Sequence, residues 1–214
     1  MATSVTTADR RTSTKRRDIL RAATEIFLDA GYERASMDEI AVRAGVSKAT
    51  VYSHFGSKEA LFEAIIRELC QSLLTPLQVP PSSRGSPEET LLSFARSYVD
   101  LLLQPSSLAL HRLLVAEAPR NPELAALSYR AGGARVVGEL AAYLRQEDAK
   151  GSLAVADAKL AAEQLFGMLN GHLQIRALLR VDENPTREAL DRHIRSAVAT
   201  FLRGYATAPD GSGS

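Results

Sequence analysis

Apolar residues recur at helical spacing through most of the chain. Ile19, Ala22, Ala23, Ile26, Phe27 and Ala30 form one stripe from about Thr14 to Ala30, the pattern of an amphipathic helix closed by Gly31. Leu61, Phe62, Ile65, Leu69 and Leu73 repeat it from Ser57 to about Leu74, where Pro76 ends the run. After a loop-like PPSSRGSP at residues 80–87, Leu91, Leu92, Ala95, Tyr98, Val99 and Leu102 predict a helix with Pro87 in its first turn, where the missing amide proton costs nothing. A shorter helix is expected from about Ser107 to Glu117, and Pro119 and Asn121-Pro122 break and restart the chain. The segment from Glu123 to about Arg145 carries Gly132-Gly133, the signature of a kink or of a close approach by another helix. Two long periodic segments follow, from about Val155 to Leu179 and from about Thr186 to Tyr205. The pattern predicts an all-α fold. Residues 1–13 and 207–214 lack periodicity and are expected to be a disordered arm and a disordered tail.

Between Ser36 and Lys58 the apolar spacing shortens, and two brief helices are predicted around Gly45. Ser36 with Glu39 is a capping-box pair, so the first starts near Met37; Ser47 caps the second, which runs from Lys48 to about His54 and ends at Gly56. Ile40, Ala44, Val51 and Phe55 face inward, leaving Lys48, Ala49, Thr50, Tyr52, Ser53 and His54 outward. Two helices joined by a tight glycine turn are the geometry of a helix-turn-helix, whose second helix enters the DNA major groove. The outward set suits that task. Lys48 and Tyr52 can reach phosphates, Thr50 phosphates or base edges, and Ala49 offers a methyl contact to thymine, with Lys58 placed to grip a further phosphate. On spacing alone an ordinary helical hairpin is an equal alternative.

The gap-free run AATEIFLDAGYERASMDEIAVRAGVSKATVYSHFGSKEALFEAI, within residues 19–65, resembles the N-terminal DNA-binding domain of the TetR family of bacterial transcriptional regulators. The resemblance implies that Ser36 and Met37 open the helix that touches the DNA backbone. It implies further that Ser47, Lys48, Ala49, Thr50, Tyr52, Ser53 and His54 form the recognition helix with its cap, and that Lys58 binds phosphate. The family's frequent glycine or proline before the threonine is here Ala49. A fainter similarity, from Leu110 to Leu144, is to the C-terminal region of the AefR-like branch, which implies a small lipophilic effector. The domains expected on this basis are a helix-turn-helix domain at 14–60 and a helical effector-binding and dimerisation domain at 61–206.

Composition narrows the function classes. Lys and Arg number 26 against 25 Asp and Glu, so net charge gives no sign of nucleic acid, although six basic residues against two acidic ones lie between Met1 and Arg21. The single cysteine, Cys70, excludes an internal disulfide and fits a cytoplasmic protein. A polar N-terminus and the absence of any apolar run near the roughly 18 residues of a membrane span argue against secretion and membrane insertion. No phosphate-binding glycine loop, nucleophile motif or metal-spaced cluster occurs, and the four histidines (His54, His111, His172, His193) are scattered. An enzyme is therefore disfavoured, and no cofactor or metal is expected. A helical interaction module without DNA affinity would leave Lys48, Tyr52 and Lys58 with nothing to grip.

The expected partners are a double-stranded, palindromic DNA operator, a second copy of the chain and an unidentified small-molecule effector. Repression is expected, with activation through the same DNA contact as the alternative. Phe94, Tyr98, His111, Tyr129, Gln164, Phe166, Asn170 and His172 are candidate effector contacts, because pockets are mostly apolar with a few placed polar groups. Leu165, Leu169, Ile194, Val198, Phe201 and Leu202 form a stripe that fits either a dimer interface or the core of one subunit; the family resemblance points to the interface.

Overall fold

The structure, a computed structural model, describes residues 7–74, 85–181 and 185–207, and for residues 7–12, Cys70 and residues 72–74 the backbone alone. Among the described residues the chain forms helices and no strand: α1 (Thr7–Ala30), α2 (Met37–Ala44), α3 (Lys48–Phe55), α4 (Lys58–Leu74), α5 (Pro87–Leu102), α6 (Pro105–Glu117), α7 (Pro122–Ala131), α8 (Gly133–Ala149), α9 (Ala158–Leu179) and α10 (Arg187–Gly204). The all-α expectation holds. α1 differs at its start. It is helical from Thr7, so the boundary expected at Thr14 falls inside it. Extending a helix already nucleated by its packed part adds a hydrogen bond per residue without a new nucleus, even where the sequence is polar. The expected arm at residues 1–6, the expected loop at residues 80–84 and the expected tail from residue 208 lie outside the described residues.

The chain divides into two compact units, Met1–Cys70 with Arg112–Ser128, and Gln71–His111 with Tyr129–Ser214. This departs from the expected 14–60 and 61–206 division, because residues 112–128 join the N-terminal unit from far along the sequence. In that first unit α1 packs on α2 and α2 on α3. Ile19, Ala23, Ile26 and Phe27 of α1 are buried with Ile40, Val51, Leu61, Phe62 and Ile66. Phe62 meets Phe27 at 4.8 Å and Tyr32 at 4.9 Å between ring centroids, and burying each phenylalanine stabilises by about 1.5–3 kcal/mol. Phe55, expected inward, is only half-buried, with the Arg16 guanidinium 5.4 Å above its ring.

In the second unit α5, α8, α9 and α10 close on a core that includes Leu91, Phe94, Leu140, Leu144, Leu165, Leu169, Ile194, Val198 and Phe201. This corrects the reading of the α9 and α10 stripe as a dimer surface. Leu165, Leu169, Ile194, Val198 and Phe201 are all buried within a single subunit, and Leu202 is half-buried. Helical periodicity reports which face is buried and is silent about which chain buries it. α9 bends at Gly171, whose φ of 37° and ψ of −136° interrupt the helix and would strain any residue with a side chain.

Candidate nucleic-acid interface

The two short helices of the first unit are held mainly at their ends. Ser36 sits in extended backbone before α2, and its Oγ accepts from the Glu39 amide at 3.1 Å. The reverse half of the capping box is replaced, since the Glu39 carboxylate turns to Arg43 at 3.6 Å. Gly45 ends α2 in the left-handed region (φ 65°), which allows the Val46 amide to reach back to the Ala41 carbonyl at 3.0 Å. Ser47 then caps α3, its Oγ accepting from the Thr50 amide at 3.2 Å and lying 2.8 Å from the Thr50 hydroxyl. Val51 is the one buried residue of α3.

Ser36, Ser47, Lys48, Ala49, Tyr52 and Ser53 are exposed, and Thr50, His54 and Lys58 are half-buried. Met37 departs from expectation: it is 6% exposed and belongs to the core, leaving only its backbone amide at the start of α2 for a phosphate. Lys48 is held by Asp38, with its Nζ 2.9 Å from Oδ1 and donating to Oδ2 at 3.1 Å. That hydrogen bond and charge raise the lysine's pKa. Lys58 donates to the Glu33 carbonyl at 3.2 Å and lies 4.5 Å above the centre of the Tyr32 ring. The Tyr32 hydroxyl donates to Glu59 at 3.1 Å, which ties the α1–α2 turn to the first turn of α4. Burial first, and then Glu59, push the Tyr32 phenol above its ordinary pKa. The sequence reading missed Asp38, Tyr32 and Glu59. Opposite charges on either side of the Gly45 turn were a usable signal for Asp38; the other two depend on long-range packing.

Of the eight candidate effector contacts, the second unit brings four together. Tyr98 meets Phe166 edge-on at 4.7 Å, Phe94 meets Phe166 at 5.9 Å, and the Tyr98 hydroxyl donates to Asn170 Oδ1 at 2.6 Å, one residue before the Gly171 bend. Burial pushes the Tyr98 phenol up to about 12. The other four lie apart from this cluster. Gln164 accepts from the Tyr205 hydroxyl, Tyr129 and His172 are exposed, and His111 is half-buried, its pKa lowered by burial. His193, not anticipated, bridges α10 to α9 through Nε2 and the Leu169 carbonyl at 3.0 Å.

Residues 19–65 match the profile described as bacterial regulatory proteins, tetR family, and residues 89–207 match that of the AefR-like transcriptional repressor C-terminal domain. The chain belongs to the TetR family. Similar solved structures include the flavonoid-responsive regulator FrrA (36% identity, TM-score 0.83, covering 92% of this chain and 100% of that one). A TetR-family structure from Mesorhizobium loti MAFF303099 is 33% identical with a TM-score of 0.79, covering 92% of this chain and 98% of that one. The HTH-type transcriptional activator FasR of Mycolicibacterium smegmatis is 35% identical over 88 residues, 41% of this chain and 40% of FasR. As a TetR-family member the protein is a DNA-binding transcriptional regulator, with an N-terminal helix-turn-helix domain and a C-terminal helical domain. Among the described residues no helix is long and apolar enough to cross a membrane.

Proposed function

We propose that the protein is a homodimeric repressor that places α3 of each subunit in successive major grooves of a palindromic operator and leaves it on binding a planar, largely apolar aromatic molecule. The observation that carries the DNA half is α3 itself, anchored through Val51 and its caps so that Lys48, Ala49, Tyr52 and Ser53 are exposed on one side. Tyr52 and Lys58 act on phosphates. Replacing both by alanine weakens binding to every sequence; the lost Lys58 charge lowers the slope of log affinity against log salt by about one unit, while the uncharged Tyr52 lowers affinity without changing that slope. Equal salt-dependent affinity in wild type and double variant would overturn the assignment.

Repression is supported by the AefR-like repressor match over residues 89–207. Activation is the second reading, favoured by the similarity to FasR, and a reporter fused to the bound promoter separates the two by the sign of its response. For the dimer, the other face of α9 serves, where Leu160, Gln164 and Gly167 recur at helical spacing before the Gly171 bend and are exposed, as Ile175 is beyond it. Leu160→Glu or Ile175→Glu therefore yields folded monomers in sedimentation, whereas dimers of unchanged affinity would exclude this face.

The aromatic effector is supported by the Phe94, Tyr98 and Phe166 rings around the Tyr98–Asn170 hydrogen bond, and by the flavonoid response named for FrrA. A flat ring with an oxygen substituent can slide against these rings and take over the bond to Asn170. Such a ligand releases DNA only by binding the DNA-incompetent conformation more tightly, so operator DNA must weaken effector binding by the same factor. Titration of the protein–DNA complex with flavonoids and matched aliphatic acids tests it. Release by the aliphatic set alone, or retained release in Asn170→Ala and Phe166→Ala, would count against the site.

A further inference from the structure

We propose that Asp38 is a specificity-determining residue that converts Lys48 from a phosphate grip into a reader of base edges; this rests on the reading that α3 enters the major groove. An ammonium at the first position of a recognition helix ordinarily pairs with whatever phosphate is nearest, and such a contact carries no base information. Here the ammonium is already committed. Its Nζ lies 2.9 Å and 3.1 Å from the two Asp38 carboxylate oxygens, although both side chains are exposed and free to point elsewhere.

Lysine has three donor hydrogens and no acceptor, so this arrangement occupies up to two and leaves at least one to donate outward. A phosphate that draws Lys48 to itself must come close to the Asp38 carboxylate, and the exchange of one anion for another gains little while adding like-charge repulsion. A guanine edge is different. Its O6 and N7 are neutral acceptors that take the remaining hydrogen without disturbing the ion pair. Asp38 thus cancels the sequence-independent pull of Lys48 and leaves its sequence-dependent donation in place.

The arrangement follows from local structure. Asp38 stands in the first turn of α2, where the helix dipole favours a carboxylate, and Lys48 opens α3; the Gly45 turn brings these two starts together.

The test uses the full chain and two DNA probes, a duplex enriched by the wild type from a random-sequence library and an unselected duplex of the same length. Affinities are measured over a range of salt for wild type, Asp38→Asn, Asp38→Ser, Lys48→Ala and Asp38→Asn/Lys48→Ala, each checked for native helicity. If the wild type enriches no sequence, the reading of α3 as a recognition helix fails, and the proposal with it. Where it does, Asp38→Asn and Asp38→Ser should bind the unselected duplex about three- to tenfold more tightly at low salt. The slope of log affinity against log salt should steepen by about 0.9, and the ratio of selected to unselected affinity should fall. In the Lys48→Ala background the Asp38 substitution should have no such effect. An unchanged slope and ratio in the Asp38 variants overturns the proposal, and so does the same change with Lys48 absent, since Asp38 would then act on DNA directly.

Discussion

α3 and α10 are both helices that DNA binding and dimerisation were expected to use, yet the protein holds them in opposite ways. α3 buries Val51 and is fixed by Ser47 and Gly56 at its ends, so most of its surface is left free. α10 buries Ile194, Ala197, Val198 and Phe201 and is fixed by its face, so that face is spent. A helix tied at its ends can offer side chains to a partner, and one tied by its stripe offers only what lies opposite.

The largest test of this contrast is Phe201→Ala. It should destabilise the subunit by about 3–5 kcal/mol through the cavity it leaves, read as a shifted denaturant midpoint at constant slope. A purely interfacial Phe201 would instead change the dimer dissociation constant and leave a stable monomer. Next comes Gly45→Ala. The added methyl group meets nothing within 4 Å, so its cost is backbone strain alone, about 1–2 kcal/mol, and DNA affinity should fall because the α2–α3 turn no longer closes as it does. Full DNA affinity in that variant would show that the face of α3, and not its ends, sets its placement. Ser47→Ala removes one capping bond and should cost about 1 kcal/mol, with a loss of DNA binding larger than the loss of global stability.

The end-tied helices were the legible ones. Ser36, Gly45, Ser47 and Gly56 signal local backbone states that depend on a few neighbours, and each cap stands where the sequence placed it. The second unit was legible as helices but not as surfaces. Leu165 and Phe201 carry the same apolar signal whether a neighbour belongs to the same chain or to another. Met37 failed in the same way, its role in the family resemblance hiding that its side chain is needed inside. The Tyr98–Asn170 bond spans 72 residues, beyond the reach of any local pattern.

The effect seen only under the most extreme conditions concerns the Tyr98 phenol, whose pKa is raised by burial and lowered by that bond. Tyr98 has a folded pKa raised to about 12 from an ordinary 10.0, so its neutral form is favoured by folding. Its contribution is full below the unfolded value, shrinks as pH rises above about 10 and is lost through the folded value. Wild type should therefore lose stability faster than Tyr98→Phe between about pH 10 and 12, measured by thermal unfolding across that range. Parallel curves would mean that the phenol is wetter than its surroundings suggest.

The DNA-binding unit is discontinuous in the sequence, with a consequence for how such regulators can be recombined. Residues 112–128 contribute Glu117, 5% exposed and bonded to Asn121 at 3.1 Å, and Arg120–Leu124 wall a cleft of about 340 Å³ against Tyr32, Glu59 and Phe62. A chimaera that grafts this reading head onto another sensor by cutting after residue 65 leaves that wall behind. It would open one side of Tyr32 and Phe62 to water, beside Lys58, the lysine proposed above to hold a phosphate. A graft that also carries 112–128 keeps the wall, so the inheritable module is a head with a borrowed strap from the middle of the chain.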